Sequence, residues 1–380
     1  MSFSETTLPA DFLAAVSPES VPLRRSDLRA MIALVRVLNR LAANSAYREA
    51  IAPLLPESAR FDPGYSAVMM GYDFHLSEAG PRLIEVNTNA GGGLLALLSG
   101  RGQMHMTSDL LAPPQRGKLL GSFLDDFRAF RRDPSARPGF IAIIDETPEE
   151  QFLYPEMQAF VELFRSSGIE AEIFTPEQLS CDADGVVHNG RRIEMIYNRH
   201  CDFYLQNQEL AGLRAAYLAG QVCLTPNPWL YGLLGDKRRL ALYTDARRLV
   251  EIGVPQQDIS LLSHVVPNSR LLADCDPNET WSNRKELVFK PLSLFASRGV
   301  LLGKSISRKR FDALPPEQTL VQEFVPPSQI SVNEDTAMKA DFRLFTYRDR
   351  ILCAAARLYQ GQVTNMRTPG GGFAAVRLID

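Results

Sequence analysis

Nothing in this chain organises disulfide or soft-metal chemistry. Its five cysteines, Cys181, Cys201, Cys223, Cys275 and Cys353, are odd in number and include no C-x-x-C or Cys/His ligand spacing. That usage is expected of a reducing compartment and excludes a disulfide-stapled or zinc-finger class. The histidines, His75, His105, His188, His200 and His264, form no ligand spacing either. Charge of one sign is also missing: 41 basic against 44 acidic residues leave a net charge of -3, with no Lys/Arg-rich block or RNA-recognition signature, so no nucleic-acid partner is expected. No apolar run approaches membrane-spanning length, and the opening MSFSETTLPADF has acidic residues but no basic n-region. Neither a membrane nor a signal peptide is expected, and the cytoplasm is the expected location. No GxGxxG follows the first strand of the α/β segment at 140–174, which removes a dinucleotide dehydrogenase. Internal repeats and low-complexity tracts are absent as well.

What is present is a chain of 380 residues, 45% hydrophobic and 22% charged, long enough for two or three lobes. Ser26 caps a helix whose apolar positions Met31, Leu34, Val35, Leu38, Leu41 and Ala42 form one stripe that ends near Asn44. Residues 67–76 and 82–86 flank the turn-forming SEAG and predict a strand pair. The Pro/Gly-rich RRDPSARPG at 131–139 marks a lobe boundary. Beyond it a strand (140–144), a helix (155–167) and a strand (171–174) set a parallel α/β rhythm, and Asn189-Gly190 predicts a hairpin before a strand at 194–197. From Thr225 onward the texture reads as short antiparallel strands: ELVFKPL, RGVLLG, TLVQEFV and DFRLFTYRDRILCAAARLY. The expected division is 1–137, 138–225 and 226–380.

Three constellations carry chemistry. Asp73, Glu85 and Asn87, in GYDFHLSEAGPRLIEVNTNAGGG, are two carboxylates and an amide oxygen that a hairpin turning near SEAG brings together. Hard oxygen donors of this kind suit Mg²⁺, which also binds ATP phosphates. The plain alternative is a set of solvated strand-end residues. Lys290 ends the apolar strand of VFKP and precedes a small-residue loop, so it could reach a nucleotide phosphate, or merely snorkel from an edge strand. Gln322, Glu323, Phe324 and Val325 form a strand whose backbone N–H and C=O could pair with an adenine edge; an ordinary half-buried strand is the alternative.

The order of these motifs, a lysine strand, a small-residue loop and a Q-E-F-V strand, resembles the nucleotide-binding half of ATP-grasp enzymes. The resemblance extends to Asp236-Lys237, similar to the family's earlier phosphate lysine; to D-x-R at Asp341 and Arg343, with Arg357 on the next strand; and to NMRTPGGGFAAV, which implies Asn365, Arg367, Gly370, Gly371 and Gly372 near the triphosphate. In such enzymes a helix and a G-x-D, E-x-N strand pair follow; here they resemble Asp73, Glu85 and Asn87, far earlier in the chain. The resemblance therefore implies a circularly permuted ATP-grasp fold of mixed α/β (α+β) class, with the permuted metal-binding hairpin in 1–137, an inserted parallel α/β substrate lobe in 138–225 and the nucleotide-binding region in 226–380. IEVNTNAGGGL, IYNRHCDFY and GGGFAAV resemble segments of eukaryotic-type glutathione synthetases and, more loosely, glutathionylspermidine synthetase-like proteins. By that likeness Arg199 and Asn89 are expected at the substrate, Arg199 through a bidentate carboxylate contact. Arg298, Arg343 and Arg367 are expected at the transferring phosphoryl group, with a surface ion pair the equal alternative for Arg298.

The implied activity is an ATP- and Mg²⁺-dependent carboxylate–amine ligase acting through an acylphosphate. It needs charge neutralisation and alignment, not a protein nucleophile. A small-molecule phosphotransferase or a non-catalytic nucleotide-binding protein would use the same ATP site. The expected partners are small carboxylate and amine substrates, with a homodimer as the one protein association allowed for.

Overall fold

The computed structural model describes residues 10–99, 113–182, 185–293, 299–333, 336–362, 364–365 and 368–380. Its first strands are β1 (Val16–Arg24), β2 (Met70–Ser77) and β3 (Gly80–Asn87). The middle of the chain gives β4 (Phe140–Ile144), β5 (Glu170–Phe174), β6 (Ser180–Asp182), β7 (Gly185–His188), β8 (Arg191–Ile193), β9 (Met195–Asn198) and β10 (Cys223–Thr225). The last part supplies β11 (Ser269–Leu271), β12 (Leu287–Pro291), β13 (Leu301–Leu302), β14 (Thr319–Glu323), β15 (Ser328–Asn333), β16 (Thr336–Tyr347), β17 (Arg350–Tyr359) and β18 (Gly372–Ile379).

These strands form four sheets. A seven-stranded sheet runs β1-β18-β17-β16-β2-β3, with β15 also on β16, so it joins the two ends of the sequence. A parallel sheet runs β10-β9-β4-β5, an antiparallel one β11-β14-β12-β13, and β6-β7-β8 make a small meander that turns at Asn189-Gly190 as expected. Asn189 and Gly190 both have positive φ, the backbone a tight two-residue turn requires.

Strand alternation decides which side chains face the site. On β2, Met70, Tyr72 and Phe74 enter the main core, which leaves Gly71, Asp73 and His75 on the opposite face. Phe342 and Leu344 of β16 enter the same core and leave Asp341 and Arg343 opposite. The register pairs Asp73 with Glu85 and with Arg343, Gly71 with Asn87, and Asp341 with Arg357. Paired residues share a face. One face of one sheet therefore carries Asp73, Glu85, Asn87, Arg343, Asp341 and Arg357. Helix Arg25–Ala43 covers the other face with its expected stripe and ends at Asn44, whose side chain caps the next helix at the Tyr47 amide.

The structure departs from expectation between residues 228 and 265. That stretch is helical, in short pieces from Pro228–Leu230 to Gln256–Val265, and not a run of strands. Helix Pro113–Arg131, which the sequence reading did not anticipate, buries Asp126 completely. The Asp126 carboxylate accepts from the Ser66 amide (3.1 Å), the Tyr347 hydroxyl (2.6 Å) and the Thr225 hydroxyl (2.8 Å), tying that helix to β10 and β16. Burial pushes its pKa up to about 6, outweighing these hydrogen bonds. Because the folded pKa lies above the unfolded value, roughly 3.9, this group's contribution to stability is full below about pH 4 and is lost as the pH rises through about 6. Between pH 4 and 6.5 the unfolding midpoint of the wild type is expected to fall by about 2–4 °C relative to Asp126→Asn. Parallel midpoint curves would contradict this account.

Candidate functional site

A cavity of about 310 Å³ lies between the charged face of the seven-stranded sheet and the antiparallel sheet. One wall is the β2–β3 hairpin, with Asp73, His75, Glu85, Asn87 and Asn89. The facing wall is β12 and β14, with Lys290, Gln322, Glu323 and then Phe324 and Val325. Lys237 closes one side and Arg357 another. Eleven of the residues singled out in the sequence thus converge on one space.

The register explains the lysine. Lys290 pairs with Leu320 and Val288 with Gln322, so Lys290 and Gln322 are diagonal neighbours on one face. The Lys290 ammonium donates to Gln322 Oε1 at 2.7 Å and to the Ile84 carbonyl at 3.0 Å. That carbonyl belongs to the residue at which the β2–β3 register slips by one, Asp73 facing Glu85 but Phe74 facing Leu83. Both of these acceptors are neutral. Burial, with Lys237 nearby, pulls the Lys290 pKa down to about 8 despite Glu85 and Asp73, and burial lowers that of Lys237 too. A buried ammonium beside neutral acceptors, with the half-buried Lys237 near it, makes a strong demand for an anion.

The arginines are arranged otherwise. Arg343 grips Asp73 through Nε (2.5 Å) and Nη2 (2.6 Å), while Arg357 bonds Asp73 at 2.8 Å and Asp341 at 2.6 Å. Asp341 also accepts from the Thr364 hydroxyl at 2.7 Å. Burial would raise the Asp73 pKa, but the two guanidinium groups hold it well below the usual carboxylate range. Arg343 is not among the residues lining the cavity; its remaining donor reaches the Gly91 carbonyl at 3.3 Å.

The Glu323 carboxylate accepts from Arg82 at 2.9 Å. His75 Nδ1 donates to the Val325 carbonyl at 2.7 Å, linking the hairpin to the strand expected at the base. Gly370, Gly371 and Gly372 do not line the cavity. A side chain at Gly372 would collide with the Ala15 carbonyl, because β18 begins pairing with β1 there. Asn365 caps the turn before them, its carbonyl accepting from Thr368, and is likewise not a lining residue. Arg298 and Arg367 lie outside the described residues. Asp341, Lys304, Lys339 and Gln329 also line the cavity and were missed. Only Asp341 had a signal, as the first member of its D-x-R.

Arg199 stands apart, at the carboxyl ends of the parallel strands. Asp145 follows β4, and Arg199 and His200 follow β9, the two strands between which the order β10-β9-β4-β5 reverses direction. Open α/β sheets bind ligands at such a switch point. Arg199 is buried and donates to Asn89 Oδ1 at 2.9 Å, and Asn89 itself lines the main cavity.

No protein-family model matches the sequence, and no curated protein sequence does. Solved structures do. A glutathione synthetase-like effector from Globodera pallida in its apo form superposes over 96% of this chain and 90% of its own, with a TM-score of 0.60 at 11% identity. A candidate gamma-glutamylcysteine synthetase from Methylobacillus flagellatus covers 94% of this chain and 90% of its own, with a TM-score of 0.51 at 12% identity. The fold is glutathione synthetase-like. The expected ATP-grasp, mixed α/β class is therefore the one found. Weaker overlaps, with a TM-score of 0.35, extend to the ATP-grasp ligase PsnB with its minimal precursor.

Among the described residues of this glutathione synthetase-like fold, no three His, Cys, Asp or Glu side chains gather as a metal cluster, and no helix is long and apolar enough to cross a membrane. Glu85 and Asn87 fit a hard cation: both are partly exposed, both line the cavity, and the Asn87 amide lies 3.1 Å from the Glu85 carboxylate.

The electrostatics carry a test. A bound diphosphate favours the charged Lys290, so affinity is full below its free pKa of about 8 and declines as the pH rises through it. ADP affinity measured calorimetrically is expected to weaken about fivefold to tenfold from pH 7 to pH 9, and to lose most of that dependence in Lys290→Arg, which stays charged. Equal pH profiles for the two proteins would refute the assignment of Lys290 to the phosphates.

Proposed function

We propose that the protein is an ATP- and Mg²⁺-dependent carboxylate–amine ligase working on a small amino-acid, peptide or polyamine-like substrate. The observation that carries this reading is the Asn89–Arg199 contact. It joins a lysine-lined cavity of nucleotide-binding character to a buried arginine at a topological switch point, so an anionic nucleotide and a carboxylate would lie side by side. Amide synthesis needs that adjacency.

In this reading Phe324 and Val325 take the base, and Lys237 and Lys290 hold the phosphates. Arg199, kept in place by Asn89 and the Tyr197 hydroxyl (3.5 Å), fixes the acid. The carboxylate oxygen attacks the γ-phosphorus as the bond to ADP breaks; the amine then attacks the acyl carbon, loses a proton and expels phosphate. Glu85 and Asn87 would hold Mg²⁺, which would supply charge neutralisation to the phosphate oxygens. The chain's own part is alignment and dry, fixed charge.

Two finer readings accompany it. We read the element order as circularly permuted, supported by two contacts: Ile379 of β18 pairs with Arg24, and Asp380 lies 3.3 Å from Arg25 at the start of helix Arg25–Ala43. That helix and the β2–β3 hairpin therefore continue in space from β18, as an unpermuted order would have them continue in sequence. The five free cysteines favour a reducing cytoplasm.

Incubation with Mg-ATP and a mixed panel of amino acids and polyamines is expected to release ADP only when an acid and an amine are both present, with an amide as the product by mass spectrometry. Release with a single substrate, giving a stable phosphorylated product, would replace the ligase by a phosphotransferase. Glu85→Gln and Asn87→Ala are expected to slow turnover roughly 100-fold or more, and Arg199→Met to raise the half-saturating acid concentration by a similar factor. Wild-type kinetics in all three would sink the proposal.

A further inference from the structure

Asp73 has a different place from Glu85 and Asn87. Its carboxylate carries four N–H contacts: Arg343 Nε on Oδ1 at 2.5 Å, and Arg343 Nη2 (2.6 Å), Arg357 Nη2 (2.8 Å) and Asn87 Nδ2 (3.3 Å) on Oδ2. An ionised carboxylate offers about four lone-pair directions, so these contacts occupy it. Asp73 is 2% exposed, and Arg343 and Arg357 are each 8% exposed, so the cluster is dry and its charges answer one another. A divalent cation taking an Asp73 oxygen would displace a guanidinium and stand beside two buried positive groups, with only Asp341 left to balance Arg357. Glu85 faces no comparable obstacle, because among the described residues no arginine forms an ion pair with it and it is partly exposed to the cavity.

We infer that Asp73 is a positioning residue that holds Arg343 and Arg357 and is not a ligand of the cation. The cation rests on Glu85 and Asn87, and Arg357 stays at the cavity wall because Asp73 and Asp341 grip it from two sides. Through Asp341 the same network reaches the Thr364 hydroxyl. This inference rests on the ligase reading, since it presumes a metal–nucleotide complex in the cavity.

The test uses the full-length protein, ADP and Mn²⁺, read by electron paramagnetic resonance. Mn²⁺ affinity of the ADP complex is expected to stay within about twofold of wild type in Asp73→Asn and to fall at least tenfold in Glu85→Gln. Equal losses in the two variants would make Asp73 a ligand and overturn the inference. In a second arm, with EDTA, ADP affinity is expected to fall about fivefold in Asp73→Asn and about fivefold in Arg357→Gln, with no further loss in the double variant, because Asp73 acts through Arg357. Multiplicative losses, or an unchanged or tighter affinity in Asp73→Asn, would contradict it. Should Asp73→Asn alone not fold, Asp73→Asn/Arg343→Gln removes the stranded charge together with its partner and answers the Mn²⁺ arm. A wild type that binds no ADP would bring down the ligase reading itself, an outcome distinct from any of these.

Discussion

A single carboxylate ties together parts of the chain 270 residues apart: Asp73 on β2, paired in register with Arg343 on β16 and bonded to Arg357 on β17. Without that register the hairpin would have no fixed position against the late strands. With it, Glu85 and Asn87 are presented to a cavity whose opposite wall comes from a different sheet. A buried ion pair of this kind adds little net stability, since desolvation offsets the attraction, but breaking one side is costly, roughly 3–5 kcal/mol. Its value here is specificity of position. The bidentate fork admits one strand register and aligns three strands at once.

The same network determines which cations are available to a nucleotide. Arg343 and Arg357 are balanced by Asp73 and Asp341, two charges against two, whereas Lys290 is bonded to a side-chain amide and a backbone carbonyl. At about 4 Å and an effective dielectric near 20, a unit charge pair is worth about 4 kcal/mol. A phosphate entering the cavity therefore gains most from the lysines, and the depressed pKa of Lys290 is the cost of holding that charge ready in its absence.

Much of this was legible in sequence. Apolar segments on either side of the turn-forming SEAG predicted the β2–β3 hairpin, and the parallel α/β rhythm predicted 140–174 nearly to the residue. The lysine and Q-E-F-V strands were found as adjacent strands with their side chains on one cavity. Other features were hidden for physical reasons. β1 contains Pro18 and Pro22, which suppress a strand reading, yet they are tolerated because β1 is the edge of its sheet. The helices between 228 and 265 are short and carry Gly and Pro, so no long apolar period announces them. The one-residue slip at Ile84, which gives Lys290 its second acceptor, has no sequence signature at all. The roles that resemblance implied for Arg343 and Arg357 could not reveal that both are tied to buried carboxylates, since that depends on the register of strands remote in the chain. The glycines at 370–372 looked like a phosphate loop; where they stand, close backbone packing against Leu358 and Ala15 already requires Gly371 and Gly372.

The account comes down to where a nucleotide sits and what holds its charge. A crystal structure with ADP and Mg²⁺ tests this most directly. It should place the base against Phe324 and Val325, the phosphates on Lys290 and Lys237, and the cation on Glu85 and Asn87 with the Asp73–Arg343 fork intact. A nucleotide bound outside the space between the two sheets, or phosphates contacting neither lysine, would contradict it.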